Sequence, residues 1–145
     1  MENELATNKA ELTFIMAGLQ IMPDDRRMQD SFYMDSKIKL YKLIHKYKTR
    51  VLFFSGDVHS AEFMTHPCSE EFVGYPLIEL TASGLTEIYD PLEIVHEFIY
   101  DTILNNFLYT DMYNKYENRY YMDYQFGLID IIWNSKNMMH TSISL

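Results

Sequence analysis

Cysteine is nearly absent from this chain of 145 residues, which contains only Cys68. An internal disulfide is therefore excluded, and so is a small disulfide-stabilised scaffold. No run of about 18 apolar residues occurs, so we expect no transmembrane helix. The first four residues, Met-Glu-Asn-Glu, are not a basic segment leading into an apolar core. We therefore expect no signal peptide, and the sequence does not predict a cellular compartment.

Basic residues are also scarce, with 12 Lys and Arg against 21 Asp and Glu and a net charge of −9. That balance argues against binding to a nucleic-acid backbone. It would suit a site that holds metal cations, although solubility alone accounts for such a charge. A hydrophobic content of 48% is typical of a packed protein. We expect a frayed or disordered N-terminus over residues 1–10 and at most one domain, over residues 11–145.

The apolar pattern predicts an α/β fold. Residues 12–22 and 51–54 read as strands, and between them a helix runs from Asp35 or Ser36 to about Tyr47. This strand–helix–strand order predicts that the two strands are parallel. A second helix is predicted to begin at Asp90. The remaining predicted elements are strands at residues 76–80, 126–133 and 138–145 and a long loop at 109–125.

The candidate metal ligands lie in one stretch of the sequence. The strand at residues 51–54 ends in Ser-Gly, and Asp57 and His59 follow with one residue between them. In open α/β sheets, ligands bind just outside the carboxyl ends of the strands. Carboxylate and imidazole groups are common metal ligands. An Asp-x-His alone is weak, because Asp at a strand end often only caps the following turn.

Residues 55–62, Ser-Gly-Asp-Val-His-Ser-Ala-Glu, resemble the last metal motif of the PhoD-like alkaline phosphatases, which are calcineurin-like metallophosphoesterases. Residues 17–23 are similar to the Gly-x-Gln-x-x-Pro stretch of that family. Residues 79–86 are similar to its Glu-Leu-Thr-Ser-Ser-Gly-Leu-Thr segment. Residues 126–133 resemble its closing Asn-Phe-Gly strand. The resemblance runs from about Glu11 onward and covers only the C-terminal part of the family domain.

This resemblance implies the C-terminal part of a four-layer α/β/β/α sandwich and the hydrolysis of phosphomonoesters or phosphodiesters. It implies two divalent or trivalent metal ions, such as Fe, Ca, Zn or Mn, and a metal-bound hydroxide that attacks phosphorus in line. Asp57 and His59 would be metal ligands. No catalytic residue beyond the metal ligands is assigned.

Three further residues are implied to support the site. Gln20 would hydrogen-bond to the ligands, or would itself be a weak ligand through its amide oxygen. Glu62 would orient His59, and its alternative is a surface charge. Ser83 would contact substrate, and its alternative is to form a turn with Gly84. His45, His66, His96 and His140 lack a second ligand at a useful spacing and are interpreted as structural or surface residues.

The chain also departs from the family. Ala82 stands in place of a Ser, Glu87 in place of a His, and Gln125 in place of an Asn. The earlier Gly-Asp-x-x-Asp and Gly-Asn-His metal motifs do not occur. The alternative function is therefore a non-catalytic remnant or interaction module of the same fold, and a third possibility is an unrelated α/β binding domain.

The partner implied, besides a phosphate ester, is the missing N-terminal half of the domain. Without that half, one apolar face of the sheet would be exposed to water. The residues expected on it are Phe53, Ile15, Ile129 and Ile131.

Overall fold

The structure, a computed structural model, describes residues 1–23, 33–66, 68–88, 121, 123–133 and 139–144. Within them are helices α1 (Glu2–Thr7), α2 (Met34–Tyr47) and α3 (Ser69–Val73). The strands are β1 (Thr13–Met16), β2 (Val51–Ser55), β3 (Ala61–Thr65), β4 (Ile78–Ala82), β5 (Leu128–Trp133) and β6 (Met139–Ser144). The predicted helix at Asp90 and residues 109–120 of the predicted loop lie outside the described residues.

Four strands form a mixed sheet in the order β1-β2-β4-β3. Strand β2 pairs in parallel with β1 and with β4, and β3 runs antiparallel to β4. The predicted parallel pairing of the first two strands is confirmed, with α2 as the helix between them. The last two predicted strands, at residues 126–133 and 138–145, are confirmed as β5 and β6, which pair antiparallel. The chain is therefore of the α/β class, with the carboxyl ends of β1, β2 and β4 at one edge.

Helix α2 covers one face of the sheet. Ile44 of α2 and Phe53 of β2 are both 0% exposed and belong to one apolar cluster, which also includes Met64 of β3. The Tyr41 and Phe53 rings stack with centroids 6.4 Å apart. The prediction that Phe53 is exposed is therefore wrong, because its side chain points towards α2.

The opposite face is apolar and only partly covered. Phe14 packs edge-on against Phe54 with ring centroids 5.2 Å apart, yet Met16 is 81% exposed. Gly127 lies over the β4 side of this face, since a Cβ there would be 3.1 Å from Leu80 Cδ2. Of the other residues expected to be exposed, Ile131 is 41% exposed, whereas Ile15 and Ile129 are half-buried.

The N-terminal segment forms a helix where the sequence predicts a frayed end. Leu5 of α1 is buried. The Lys46 ammonium of α2 lies 2.9 Å from Glu2 Oε1, and the Tyr47 hydroxyl donates to the same oxygen at 3.0 Å. Apolar burial and these contacts attach α1 to α2. No helix in the described part of the chain combines the length and apolar character needed to cross a membrane.

The exposed Met16 on β1 predicts self-association. In the described sheet, β1 has β2 on one side and no strand on the other, and an apolar edge strand is a template for intermolecular pairing. We expect Met16→Lys to raise the monomer fraction in sedimentation velocity. Leu85→Lys, which places the same charge at an exposed loop residue, should not. Equal effects of the two variants, or a wild-type chain that is monomeric at high concentration, would contradict this.

Candidate functional site

The loops that follow the three parallel strands meet at one edge of the sheet. Gly56 comes directly after β2. A Cβ at Gly56 would lie 3.7 Å from the Gly18 carbonyl oxygen, after β1, and 3.8 Å from Ser83 Cβ, after β4. Loops that converge at the carboxyl ends of parallel strands form the position where α/β folds bind ligands.

Asp57 and His59 occupy an unusual backbone conformation within this edge. Their φ angles are 71° and 54°, in the left-handed region that residues other than glycine rarely adopt. Val58 between them is buried, whereas Asp57 is exposed and His59 is half-buried. Such strain persists where surrounding structure holds it, and it concentrates at functional sites. The loop therefore turns about Val58 and leaves the Asp57 carboxylate accessible to a ligand.

Gln20 and Glu62 are in direct contact. The Gln20 amide Nε2 donates to Glu62 Oε2 at 3.1 Å and to Thr81 Oγ1 at 2.9 Å. Both side chains are buried, each 1% exposed. The burial of Glu62 excludes its interpretation as a surface charge. Through Nε2, Gln20 therefore has a hydrogen-bonding role, with Glu62 and Thr81 as its partners.

Two hydroxyl groups extend this contact across the sheet. The Ser55 and Thr81 hydroxyl oxygens are 2.7 Å apart. Ser55 ends β2, Thr81 lies in β4, and Glu62 lies opposite Thr81 in β3. Gln20, Ser55, Glu62 and Thr81 thus form a buried polar network that joins the loop after β1 to the other three strands.

Glu79, which is not among the predicted site residues, holds the loop after β1 in place. Its Oε1 accepts the Ile21 backbone N–H at 2.8 Å, and its Oε2 accepts the Met22 N–H at 2.7 Å. Burial raises the pKa of Glu79 above its ordinary value near 4.5, and the nearby Glu62 carboxylate raises it further. A hydrogen bond from Ser55 and the two N–H groups act against this shift. The one available signal was an acidic residue inside an apolar strand.

Lys37 of α2 reaches the same loop. Its side chain is buried, and Nζ donates to the Met22 carbonyl oxygen at 2.9 Å. Met22 is thus held at its N–H by a carboxylate and at its carbonyl by an ammonium group. Buried charges persist when hydrogen bonds satisfy them, so these contacts fix the backbone that follows Gln20.

Ser83 and Gln125 fix the remaining loops. The Ser83 hydroxyl donates to the Ser60 carbonyl oxygen at 3.0 Å, which joins the loop after β4 to the residue after His59. The Gly84 N–H donates to Gln125 Oε1 at 2.7 Å, and the Gln125 N–H donates to the Gly84 carbonyl oxygen at 3.2 Å. The Gln125 Nε2 is buried without an acceptor among the described residues. Ser83 therefore forms part of the turn and also braces the loop that carries His59.

The donor chemistry of Asp57 and His59 fits a divalent cation, but it is only part of a coordination shell. A tetrahedral site takes four ligands. Across the described residues, no group of three or more His, Cys, Asp or Glu side chains is placed to hold a metal ion. His45 is exposed on α2, and His66 packs against the Tyr41 ring at 5.9 Å, as a structural residue does. His96 and the His140 side chain lie outside the described residues.

Comparisons of this chain with protein-family models, with curated proteins and with solved structures find no match.

Replacement of Glu79 tests whether both of its oxygens are needed. Glu79→Gln substitutes an N–H donor for one acceptor, so one of the two backbone N–H groups loses its partner. Leaving a buried donor unsatisfied costs about 1–3 kcal/mol, and we expect a loss of that size in the free energy of unfolding. Chemical denaturation measures it. Glu71→Gln, at an exposed residue, is the control and should change stability by less than about 0.5 kcal/mol.

The same variant has a pH signature. Because the pKa of Glu79 is raised in the folded state, its contribution to stability is present below the ordinary pKa near 4.5 and is lost as pH rises through the folded value. The free energy of unfolding of the wild type should therefore fall, relative to that of the non-titrating Glu79→Gln variant, as pH rises through that window. A difference that is constant with pH would contradict the raised pKa.

An alanine at position 84 would displace the end of the Gln125 side chain, which accepts a hydrogen bond from the Gly84 N–H. An added Cβ would lie 2.6 Å from both Cδ and Oε1 of Gln125. We expect Gly84→Ala to destabilise the protein by about 1–3 kcal/mol. The cost should fall in a Gln125→Ala background, as a double-mutant cycle measures. Gly18→Ala, where nothing lies within 4 Å of an added Cβ, is the control. Additive effects of Gly84→Ala and Gln125→Ala would contradict this.

Proposed function

We propose that this chain contributes part of the metal centre of a PhoD-like phosphoric ester hydrolase that acts on phosphomonoesters or phosphodiesters. One observation carries the proposal: the four segments that resemble the family meet at one edge of the sheet. Residues 17–23 and 55–62 meet at Gly18 and Gly56, and residues 55–62 meet 79–86 at Ser60 and Ser83. Gln125, next to residues 126–133, meets Gly84.

In this proposal Asp57 and His59 are metal ligands supplied by this chain. Gln20 and Glu62 form the buried support beneath their loop, and Ser83 braces that loop through Ser60. Divalent cations in such a site lower the pKa of a water molecule and stabilise negative charge on the phosphoryl oxygens. This chain would hold the two ligands in a fixed position, and its buried polar network would keep water out of the sheet side of the site.

We further propose that the sheet belongs to a four-layer α/β/β/α sandwich. Helix α2 covers one face, while the other face presents Phe14 and Met16 to solvent. A sheet face of this kind is stable when a second layer packs on it. The N-terminal half of such a domain would supply that layer together with the remaining metal ligands.

A non-catalytic remnant or interaction module is the second candidate function. It is favoured by the finding that, within the described residues, no three-ligand cluster exists. A polypeptide that keeps the polar support at the sheet edge without a complete ligand set would retain the fold and lose the chemistry.

Metal titration tests the proposed function. We expect Mn²⁺ or Zn²⁺ to bind the chain in isothermal titration calorimetry, and His59→Ala or Asp57→Asn to weaken binding at least about tenfold, since each removes a direct ligand. His45→Ala, at a histidine on α2, should leave affinity unchanged. Equal losses for His45→Ala and His59→Ala would contradict the assignment. With p-nitrophenyl phosphate, we expect the chain alone to turn over far below a typical 10 s⁻¹.

A further inference from the structure

A groove along α2 lies outside the candidate metal site. It is a cavity of about 500 Å³ between one side of α2, the end of β3 and helix α3. This volume is within the range of roughly 300–1,000 Å³ typical of small-molecule sites. The α2 residues that line it recur every three or four positions, so they form one continuous stripe on the helix. The stripe consists of Met34, Lys37, Ile38, Tyr41, Lys42 and His45.

The exposed side chains of this stripe are sorted by polarity, whereas Lys37 is buried and its ammonium bonds to the Met22 carbonyl oxygen. Met34 and Ile38 form an apolar end, and Phe72 of α3 adds to the apolar wall. All three side chains are exposed, although large apolar residues normally gain by burial. Lys42 and His45, one to two turns further along α2, form a basic end. The groove therefore offers an apolar channel that leads to a cationic group.

The groove has a basic lining although the chain as a whole is acidic. Lys42 and the imidazoles of His45 and His66 line the groove, and none of its described lining residues is acidic. Lys37 also lines it, but its side chain is buried and its ammonium bonds to the Met22 carbonyl oxygen. The whole chain carries a net charge of −9, so an acidic lining would be the ordinary expectation. Lys42 is exposed and forms no ion pair with any residue that the structure describes. The exposed Lys42 ammonium therefore offers a positive charge to an anionic ligand.

We propose that this groove binds a single-chain amphiphile with a carboxylate head, of the fatty-acid class. The acyl chain lies along Met34, Ile38 and Phe72, and the carboxylate lies near Lys42 and His45. Each methylene buried against the apolar wall contributes about 0.8 kcal/mol. The basic end supplies the charge complementarity, and this site is independent of the proposed hydrolase function.

The test is binding of dodecanoate, below its micelle concentration, to the whole 145-residue chain by isothermal titration calorimetry. We expect Lys42→Glu to weaken binding at least about tenfold, because it places a like charge beside the carboxylate. Lys39→Glu makes the same change on the same helix outside the groove lining and should leave affinity unchanged. Circular dichroism of both variants confirms that α2 is intact. Should Lys42→Glu perturb the fold, Lys42→Gln is expected to weaken binding by a smaller factor.

Two further binding measurements identify which parts of the ligand the groove recognises. Ile38→Ser should weaken dodecanoate binding, since it removes part of the apolar wall. Neutral 1-dodecanol, with the same chain and no charge, should bind at least about tenfold more weakly than dodecanoate. Equal binding of the alcohol, equal effects of Lys42→Glu and Lys39→Glu, or no dodecanoate binding would each overturn the proposal. Binding only to anionic phospholipid vesicles would also overturn it and would indicate a membrane surface instead.

Discussion

The contact between the Glu79 carboxylate and two consecutive backbone N–H groups is the interaction on which the sheet edge depends. It joins β4, an interior strand, to the loop that follows β1, an edge strand. A buried carboxylate is unfavourable unless donors satisfy it, and backbone N–H groups are equally costly when left unpaired. The carboxylate and the loop therefore fix each other, and the direction in which Gln20 leaves the loop follows from this.

Gln20 carries that constraint to the rest of the sheet. Its amide bonds to Glu62 on β3 and Thr81 on β4, and Thr81 contacts Ser55 on β2. These polar groups lie on the face that is otherwise packed by apolar residues against α2. A shift of one residue in strand register would turn them to the opposite face and leave their partners buried and unsatisfied. The network therefore specifies the register of β3 against β4 as well as supporting the edge.

Sequence patterns predicted the parts of the molecule that depend on local periodicity. The β1–α2–β2 unit followed from two apolar runs and an amphipathic helix, and the position of Asp57 and His59 after the second run placed them at the carboxyl edge of the sheet. Strand β3 was missed because residues 61–65 mix Ala, Glu, Phe, Met and Thr without alternation or a turn signal. Glu79 was missed because its partners, Ile21 and Met22, are 58 and 57 residues away and are backbone groups. No pattern of side chains encodes such a contact.

Helix α2 links the two regions to which ligands are assigned. Leu40 and Ile44 pack on the sheet, while Lys37 both lines the groove and bonds to the Met22 carbonyl oxygen. The N–H of Met22 is held in turn by Glu79, so the groove and the sheet edge share one loop. A change at Lys37 would disturb both regions through that loop. Lys42 lines the groove and forms no hydrogen bond or ion pair with residues 17–23, the described part of that loop. Its side chain therefore distinguishes ligand binding in the groove from an indirect effect on the edge.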